Sequence, residues 1–302
     1  MTTTVSRQSS EHRGNPIGGL IRTMRPRQWV KNVLVLAAPF AGGDILQVNV
    51  LAAVGLAFVA FSFAASGVYL VNDVNDVDAD RAHPTKRNRP IAAGVVTPRL
   101  ALAVAVLLFA ASIWISLLAS TDLAIVIAVY IIVQVAYCLW LKHQPVLDIA
   151  IVASGFLMRA IAGGAAAQIA LSQWFLLATA FGSLFMVAGK RYAEITLTER
   201  TGAKIRRSLE RYTATYLRFV WTLSATVVIM TYGLWAFQLS DANHNSRWAV
   251  ISMVPFVLAV LRYAVDVDNG NGGEPEEIAL GDRVLQVLGV LLVLTLTAAV
   301  YL

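Results

Sequence analysis

Charge is scarce in this 302-residue chain: Asp, Glu, Lys and Arg make up 14% of it, where a soluble domain carries about one quarter. That shortage excludes an ordinary water-exposed surface. Cysteine is scarcer still. Cys138 stands alone inside an apolar run, so neither an intrachain disulfide nor a thiolate metal site is available. The polar stretch from Met1 to Asn15 lacks an apolar h-region and a small-residue cleavage site, so it does not read as a secretory signal. Negative charge is outnumbered, with a net charge of +6. The basic residues nevertheless flank apolar runs and do not form a soluble patch, which argues against nucleic acid and for anionic lipid or phosphorylated substrates.

Hydrocarbon fills the rest: 58% of the residues are hydrophobic and the mean hydropathy is +0.66. Runs close to the roughly 20 residues that cross a bilayer recur from residue 27 onward. Spans are expected near 28–43, 50–71, 98–118, 121–140, 146–165, 172–188, 218–239, 247–265 and 284–302, the third and fourth parted only around Ser120 and Thr121. The fold class is therefore all-α, a polytopic bundle of about nine transmembrane helices. Residues 1–20 are read as a flexible cytoplasmic N-terminus and 21–302 as one transmembrane domain. With the N-terminus inside, every Lys and Arg except Arg247 and the intramembrane Arg159 falls on the cytoplasmic side, as basic residues do in membrane proteins. The long connections 72–97, 189–217 and 266–283 fall there too, so chemistry is expected at that face. The Gly-rich stretch from Asp268 to Glu277 reads as a connector.

The second expected span ends in Tyr69-Leu-Val-Asn72-Asp73-Val-Asn-Asp76-Val-Asp78-Ala-Asp80-Arg81. At 100° per residue, Asp76 and Asp80 fall within about 60° of Asp73 while Asp78 points away. Three carboxylates on one face at a membrane edge repel one another and call for a hard cation. Mg²⁺ suits them, because it accepts one or two carboxylates and completes its octahedron with water and phosphate oxygens. Asn72 adds a carbonyl ligand or a supporting hydrogen bond. Directly afterwards Arg81, Lys86, Arg87 and Arg89, stiffened by Pro84 and Pro90, form a phosphate-binding loop. Asp148 and Arg159 lie on one face of the fifth span but about 16 Å apart, too far to touch. For Arg159 a buried structural cation and a substrate role both stay open. His83 and His143 read first as loop histidines, and Trp29, Trp140, Trp174 and Trp248 as interfacial anchors.

The pattern Asn72-Asp73-x-x-Asp76-x-x-x-Asp80, followed by Lys86-x-x-Arg89-Pro90-Ile91, resembles the first Asp-rich motif and following loop of the UbiA superfamily of membrane prenyltransferases. That resemblance implies a nine-span plan with two Asp-rich motifs, at the cytoplasmic ends of the second and sixth helices, holding Mg²⁺ and a prenyl diphosphate. The second motif, D-x-x-Y-A-x-x-D, would fall on Gly189 to Thr196, where both aspartates are missing and Lys190, Arg191 and a displaced Glu194 stand instead.

Two segments, Met24-Arg25-Pro26-Arg27-Gln28-Trp29-Val30-Lys31-Asn32 and Gly189-Lys190-Arg191-Tyr192-Ala193-Glu194, are similar to one branch of the superfamily. That branch moves 5-phosphoribose from phosphoribosyl pyrophosphate to decaprenyl phosphate, at the bacterial plasma membrane, for cell-wall arabinan synthesis. The branch implies Asp73 and Asp76 as catalytic metal ligands with Asn72 and Asp80 beside them. It also implies substrate-binding roles for Lys31, Tyr69, Arg81, Lys86, Arg87, Arg89, Lys142, Lys190, Arg191, Tyr192 and Glu194, and is compatible with a homo-oligomer. A prenyltransferase with an aromatic or lipid acceptor is the alternative within the superfamily. A cation transporter is the alternative outside it, although its acids would be expected near mid-membrane.

Overall fold

The computed structural model describes residues 15–201, 209, 211–242, 247–269 and 275–302. Its regular elements are helical: α1 (Pro16–Met24), α2 (Ala37–Ala41), α3 (Val48–Asn75), α4 (Val77–Ala82), α5 (Pro98–Ala119), α6 (Thr121–Leu139), α7 (Leu147–Ala167), α8 (Gln173–Thr201), α9 (Ala214–Ala242), α10 (Arg247–Ile251), α11 (Met253–Asp268), α12 (Pro275–Gly281) and α13 (Arg283–Tyr301). Short 3-10 turns at Lys86–Asn88 and Leu141–His143, and a long 3-10 stretch at Pro26–Leu36, complete the path. Of the expected cytoplasmic segments, residues 1–14, Lys204, Arg206, Arg207 and the glycines Gly270, Gly272 and Gly273 lie outside the described residues.

Among the described residues, seven helical segments are long and apolar enough to cross a membrane: α3, α5, α6, α7, α9, the α10–α11 pair and α13. This count does not confirm the expectation of about nine. The proposed first span, 28–43, is no continuous helix but the 3-10 stretch followed by the five-residue α2. Pro26, Pro39 and the Gly42-Gly43 pair limit its length, and the 3-10 form winds more tightly than an α-helix. The sixth expected span, 172–188, falls on α8 from Gln173 onward, whose apolar part is diluted by polar and small residues before Lys190. At 29 residues α8 is roughly 43 Å long, so its charged end stands clear of a hydrocarbon core about 30 Å thick.

Ser120 shows how little chain a tight connection needs. It ends α5, caps α6 by accepting from the Leu123 amide at 3.0 Å, and donates to the Ala165 carbonyl of α7 at 2.8 Å. The cores follow the chain in turn. Helix α3 packs on α5, α6 and α7, while α7 also packs on α8, α8 on α9, and α11 on α13. Arg262 of α11 binds Asp282 at the head of α13 at 2.6 Å. Large apolar side chains such as Val106, Leu107 and Trp114 of α5, and Val287, Val290 and Leu294 of α13, remain exposed. That much contiguous hydrocarbon is covered by lipid, not water.

The long 3-10 stretch crosses α7 at Gly163, where an added Cβ would lie 1.9 Å from the Val35 carbonyl oxygen. Only glycine permits this approach, and it draws Asn32 down to the buried face of α7.

Candidate active site

Helix α3 stops at Asn75, and Asp76 sits at the break with φ −94° and ψ 6° before α4 begins at Val77. That break divides the three carboxylates that a continuous helix would have stacked. Asp73 and Asp80 are both buried and share Arg89, whose Nη1 donates to them at 3.2 Å and 2.7 Å. Asp76 turns the other way and accepts from the Lys142 ammonium. Asn72 stands at the edge of hydrogen-bond range, its Nδ2 3.5 Å from Asp73 Oδ1. Asp78 is exposed, as expected, and pairs with Arg81 at 3.3 Å.

Arg25 is among the residues that sequence reasoning missed. Its Nη2 donates to Asp73 Oδ1 at 2.7 Å, and its guanidinium lies over the Tyr69 ring, 4.6 Å from the centroid. The backbone at Arg25 is left-handed, with φ 53° and ψ 60°. For a residue bearing a Cβ this is a sparsely populated conformation, and here it joins α1 to the 3-10 stretch and turns the side chain over α3. The available signal was its place before Pro26 in the Met24–Asn32 segment, which carries the resemblance to the branch.

Arg22, Arg25, Lys86 and Arg89, with Thr23, Thr85, Asn88 and Pro90, line a cavity of about 310 Å³ that has Asp73 in its wall. Four cations line this cavity, two of them, Arg25 and Arg89, paired with Asp73 and Asp80, an arrangement of side chains that can take an anion. Of the other cations expected here, Arg87 is exposed. Arg81 is spent on Asp78 and on the Ala92 carbonyl, to which its Nε donates at 3.3 Å. Those contacts give Arg81 the role of holding the loop. The His83 ring does likewise, accepting from the Lys86 amide at 3.3 Å.

The end of α8 forms a second polar group. Arg191 pairs with Glu194 at 3.5 Å, while Tyr192 is buried, stacks on Trp221 at 5.4 Å, and donates to Asp268 at 3.0 Å. Arg218 donates to the Tyr192 hydroxyl and pairs with Asp268. Arg218, Trp221 and Asp268 were not foreseen, because they come from α9 and α11. Gly189 makes the stack possible, since a Cβ there would meet the Trp221 indole nitrogen at 2.9 Å. Lys190 lies one residue further on. Lys31 projects from the 3-10 stretch with its ammonium over the Phe156 ring at 6.0 Å.

Tyr212 ties the chain ahead of α9 to α7. Its hydroxyl donates to the buried Asp148 and accepts from the Val146 amide at 2.7 Å. Burial, and then the hydrogen bond to Asp148, push the phenol well above its ordinary range.

The donors offered by Asp73, Asp76, Asp80 and Asn72 are all oxygen, the set a hard divalent cation prefers. Among the described residues, however, no three acidic, His or Cys side chains converge as a metal cluster. Arg25, Arg89 and Lys142 hold the carboxylates instead. The donor set is thus of the kind Mg²⁺ takes, its carboxylates being paired here with three protein cations.

Proteins of known name agree with this architecture. The chain is 61% identical over 95% of its length, and 94% of the relative, to a decaprenyl-phosphate phosphoribosyltransferase of Mycolicibacterium smegmatis. To proteins of the same name from Mycobacterium tuberculosis and Corynebacterium glutamicum it is 60% and 59% identical, again over 95% of the chain and over 95% and 88% of the relatives. A UbiA homolog from Archaeoglobus fulgidus, solved with GPP and Mg²⁺, has the same fold at a TM-score of 0.69 and 15% identity, covering 93% of this chain and 98% of that one. Residues 33–299 match the UbiA prenyltransferase family, and the chain belongs to it.

Proposed function

We propose that this protein transfers 5-phosphoribose from phosphoribosyl pyrophosphate to decaprenyl phosphate, releasing pyrophosphate. The observation that carries this reading is the four-cation cavity beside buried Asp73, in a chain 59–61% identical to proteins named for that transfer. The absence of both aspartates from Gly189–Thr196 supports a phosphoribosyl donor over a second metal-held prenyl diphosphate. The product would be a precursor for cell-wall arabinan, made at the cytoplasmic face of the plasma membrane.

In this reading Arg22, Arg25, Lys86 and Arg89 would hold donor phosphates, and Asp73 and Asp76, with Asp80 and Asn72 beside them, would hold Mg²⁺ once their protein cations give way. The metal, when bound, neutralises charge on the leaving pyrophosphate. Phosphate leaves and phosphate attacks, so the protein needs no base: a phosphate monoester is largely ionised near neutral pH. The bond from C1 to the pyrophosphate oxygen breaks and a bond from C1 to the lipid phosphate oxygen forms. Attack from the opposite face converts an α donor into a β product. Arg89, which lines the cavity, would shift from carboxylate to phosphate oxygens as charge develops on the leaving group, and Lys142 would release Asp76. Glu194 is the hydroxyl-binding candidate for ribose, whereas Tyr192, expected beside it, has its hydroxyl engaged by Asp268 and Arg218.

The test is to supply the purified protein, in lipid nanodiscs with Mg²⁺, with two substrate pairs. Phosphoribosyl pyrophosphate plus decaprenyl phosphate should give pyrophosphate and a phosphoribosylated lipid. Product only from a prenyl diphosphate plus 4-hydroxybenzoate would replace this reading with the aromatic prenyltransferase.

A further inference from the structure

Arg159 lies past the middle of α7 and is 8% exposed. Its Nε donates to Asn32 Oδ1 at 2.7 Å, Nη1 to the Gly155 carbonyl at 2.6 Å, and Nη2 to the Tyr130 hydroxyl at 3.4 Å. The guanidinium also faces the rings of Phe61, Tyr130 and Phe156 at 5.3, 5.4 and 5.8 Å. Each of these partners is neutral, and among the described residues Arg159 forms no ion pair. A buried cation inside a membrane bundle is costly unless something compensates its charge. Guanidinium carries five N–H donors. Three are engaged, leaving two, the number that a bidentate phosphate contact takes.

Position gives this spare capacity a meaning. The Arg159 side chain leans toward the N-terminal end of α7, reaching the Gly155 carbonyl one turn earlier, and that end follows the Leu141–His143 turn where Lys142 binds Asp76. Lys31 and Arg159 face the same Phe156 ring, so they stand at most about 12 Å apart. Asn32, which holds Arg159, also donates to Ser62 at 3.0 Å, and Ser62 precedes Asp73 by eleven residues, about 16 Å along α3. Positive charge thus lies on the bilayer side of the donor site. In-line displacement requires the acceptor phosphate there too, because it attacks C1 opposite the departing pyrophosphate and carries a hydrocarbon tail.

We propose that Arg159, with Lys31 at its rim, binds the phosphate monoester of the lipid acceptor. The inference rests on the phosphoribosyl transfer proposed above and names the group that receives its second substrate. Arg159→Lys keeps the charge and removes the fork, and Arg159→Gln removes both. Tyr130→Phe removes one structural hydrogen bond and leaves the cation in place. In nanodiscs, Arg159→Lys should raise the KM for decaprenyl phosphate on the order of tenfold or more, the scale of one lost charge-assisted contact, while the KM for phosphoribosyl pyrophosphate stays level. Tyr130→Phe should move neither. Native mass spectrometry supplies a readout independent of turnover: wild type should retain decaprenyl phosphate over decaprenol, and Arg159→Gln should lose that preference. The proposal is overturned if the two KM values rise together, if only the donor's rises, or if both Arg159 variants lower the melting temperature with kinetics and lipid preference unchanged. Should wild type fail to use phosphoribosyl pyrophosphate while Arg159→Gln still abolishes phosphate preference, the transfer reading falls and the binding site stands.

Discussion

Gly163→Ala adds one methyl group at the point where the 3-10 stretch crosses α7. The new Cβ would stand 1.9 Å from the Val35 carbonyl oxygen, 2.8 Å from its carbon and 3.3 Å from Pro39 Cδ. The first two are backbone atoms, which no rotamer change removes, so the stretch must withdraw by about 1 Å or more to restore van der Waals contact. Overpacking of this kind costs about 1–3 kcal/mol. The lost glycine returns about 1 kcal/mol through helix propensity, and with the clash at the upper end of its range the net loss is about 2 kcal/mol. Gly289→Ala in α13 is the matched control, because nothing lies within 4 Å of its Cβ position; it should be neutral or stabilising. Thermal unfolding of both variants in one detergent should separate them, with Gly163→Ala lower by roughly 4 °C or more. Its KM for decaprenyl phosphate should rise as well, since the displaced stretch carries Lys31 and Asn32. Equal melting temperatures for the two variants would refute the claim that the crossing is a backbone contact.

Asp73→Asn and Asp76→Asn should each reduce turnover by two or more orders of magnitude with the fold retained, the scale of a lost transition-state charge contact; near wild-type pyrophosphate release from both would remove the metal ligands from the mechanism. Arg25→Gln should raise the KM for phosphoribosyl pyrophosphate on the order of tenfold, read from initial rates at saturating lipid, and an unchanged value would take Arg25 out of the donor cavity. Tyr212→Phe leaves the buried Asp148 carboxylate without its hydroxyl donor and should destabilise by about 1–3 kcal/mol. Because the Tyr212 phenol titrates above its ordinary value of 10.0 in the folded state, its contribution is complete below that value and is lost as pH rises through the folded-state value. Alkaline unfolding should therefore separate wild type from Tyr212→Phe less and less as pH climbs; a constant difference would contradict the pairing.

Much of the bundle is legible from hydropathy alone, since α5 and α6 occupy long apolar runs and α7 stays apolar enough to be seen despite Asp148 and Arg159. The turn at Ser120 is legible for the same reason. The Pro26–Leu36 stretch is not, because its path is set by Gly163, a glycine more than a hundred residues away that admits a neighbouring backbone. The span expected at 172–188 stops short of Lys190, whereas α8 runs on to Thr201, because a helix leaving the bilayer keeps its hydrogen bonds in water. The acidic motif identified the carboxylates but not their partners. Arg25 meets Asp73 from 48 residues away and Lys142 meets Asp76 from 66, distances over which local spacing carries no information. The break at Asp76 that splits the expected common face is likewise a tertiary result, fixed by Lys142 on one side and Arg89 on the other.

These pairings bear on how metal and donor enter. Three carboxylates, Asp73, Asp76 and Asp80, are matched by three cations, Arg25, Arg89 and Lys142, so the cluster presents little net charge to a free divalent ion. Mg²⁺ alone must compete with groups already in place and should bind weakly. A pyrophosphate group changes the balance, because it gives the three cations a second anionic partner and offers its own oxygens to the metal. Mg²⁺ and donor should then strengthen each other's binding by the same factor, as linkage requires. With coupling of about 1–3 kcal/mol, that factor is roughly 5 to 150. Mn²⁺ in place of Mg²⁺ makes the measurement direct: its free concentration, followed by electron paramagnetic resonance, should fall on adding pyrophosphate to the protein by more than pyrophosphate alone accounts for. Lys142→Met should raise the affinity for Mn²⁺ in the absence of pyrophosphate, since it releases Asp76, and should shrink the coupling. Tight Mn²⁺ binding to wild type without pyrophosphate, unaltered by Lys142→Met, would mean that the cations do not guard the carboxylates.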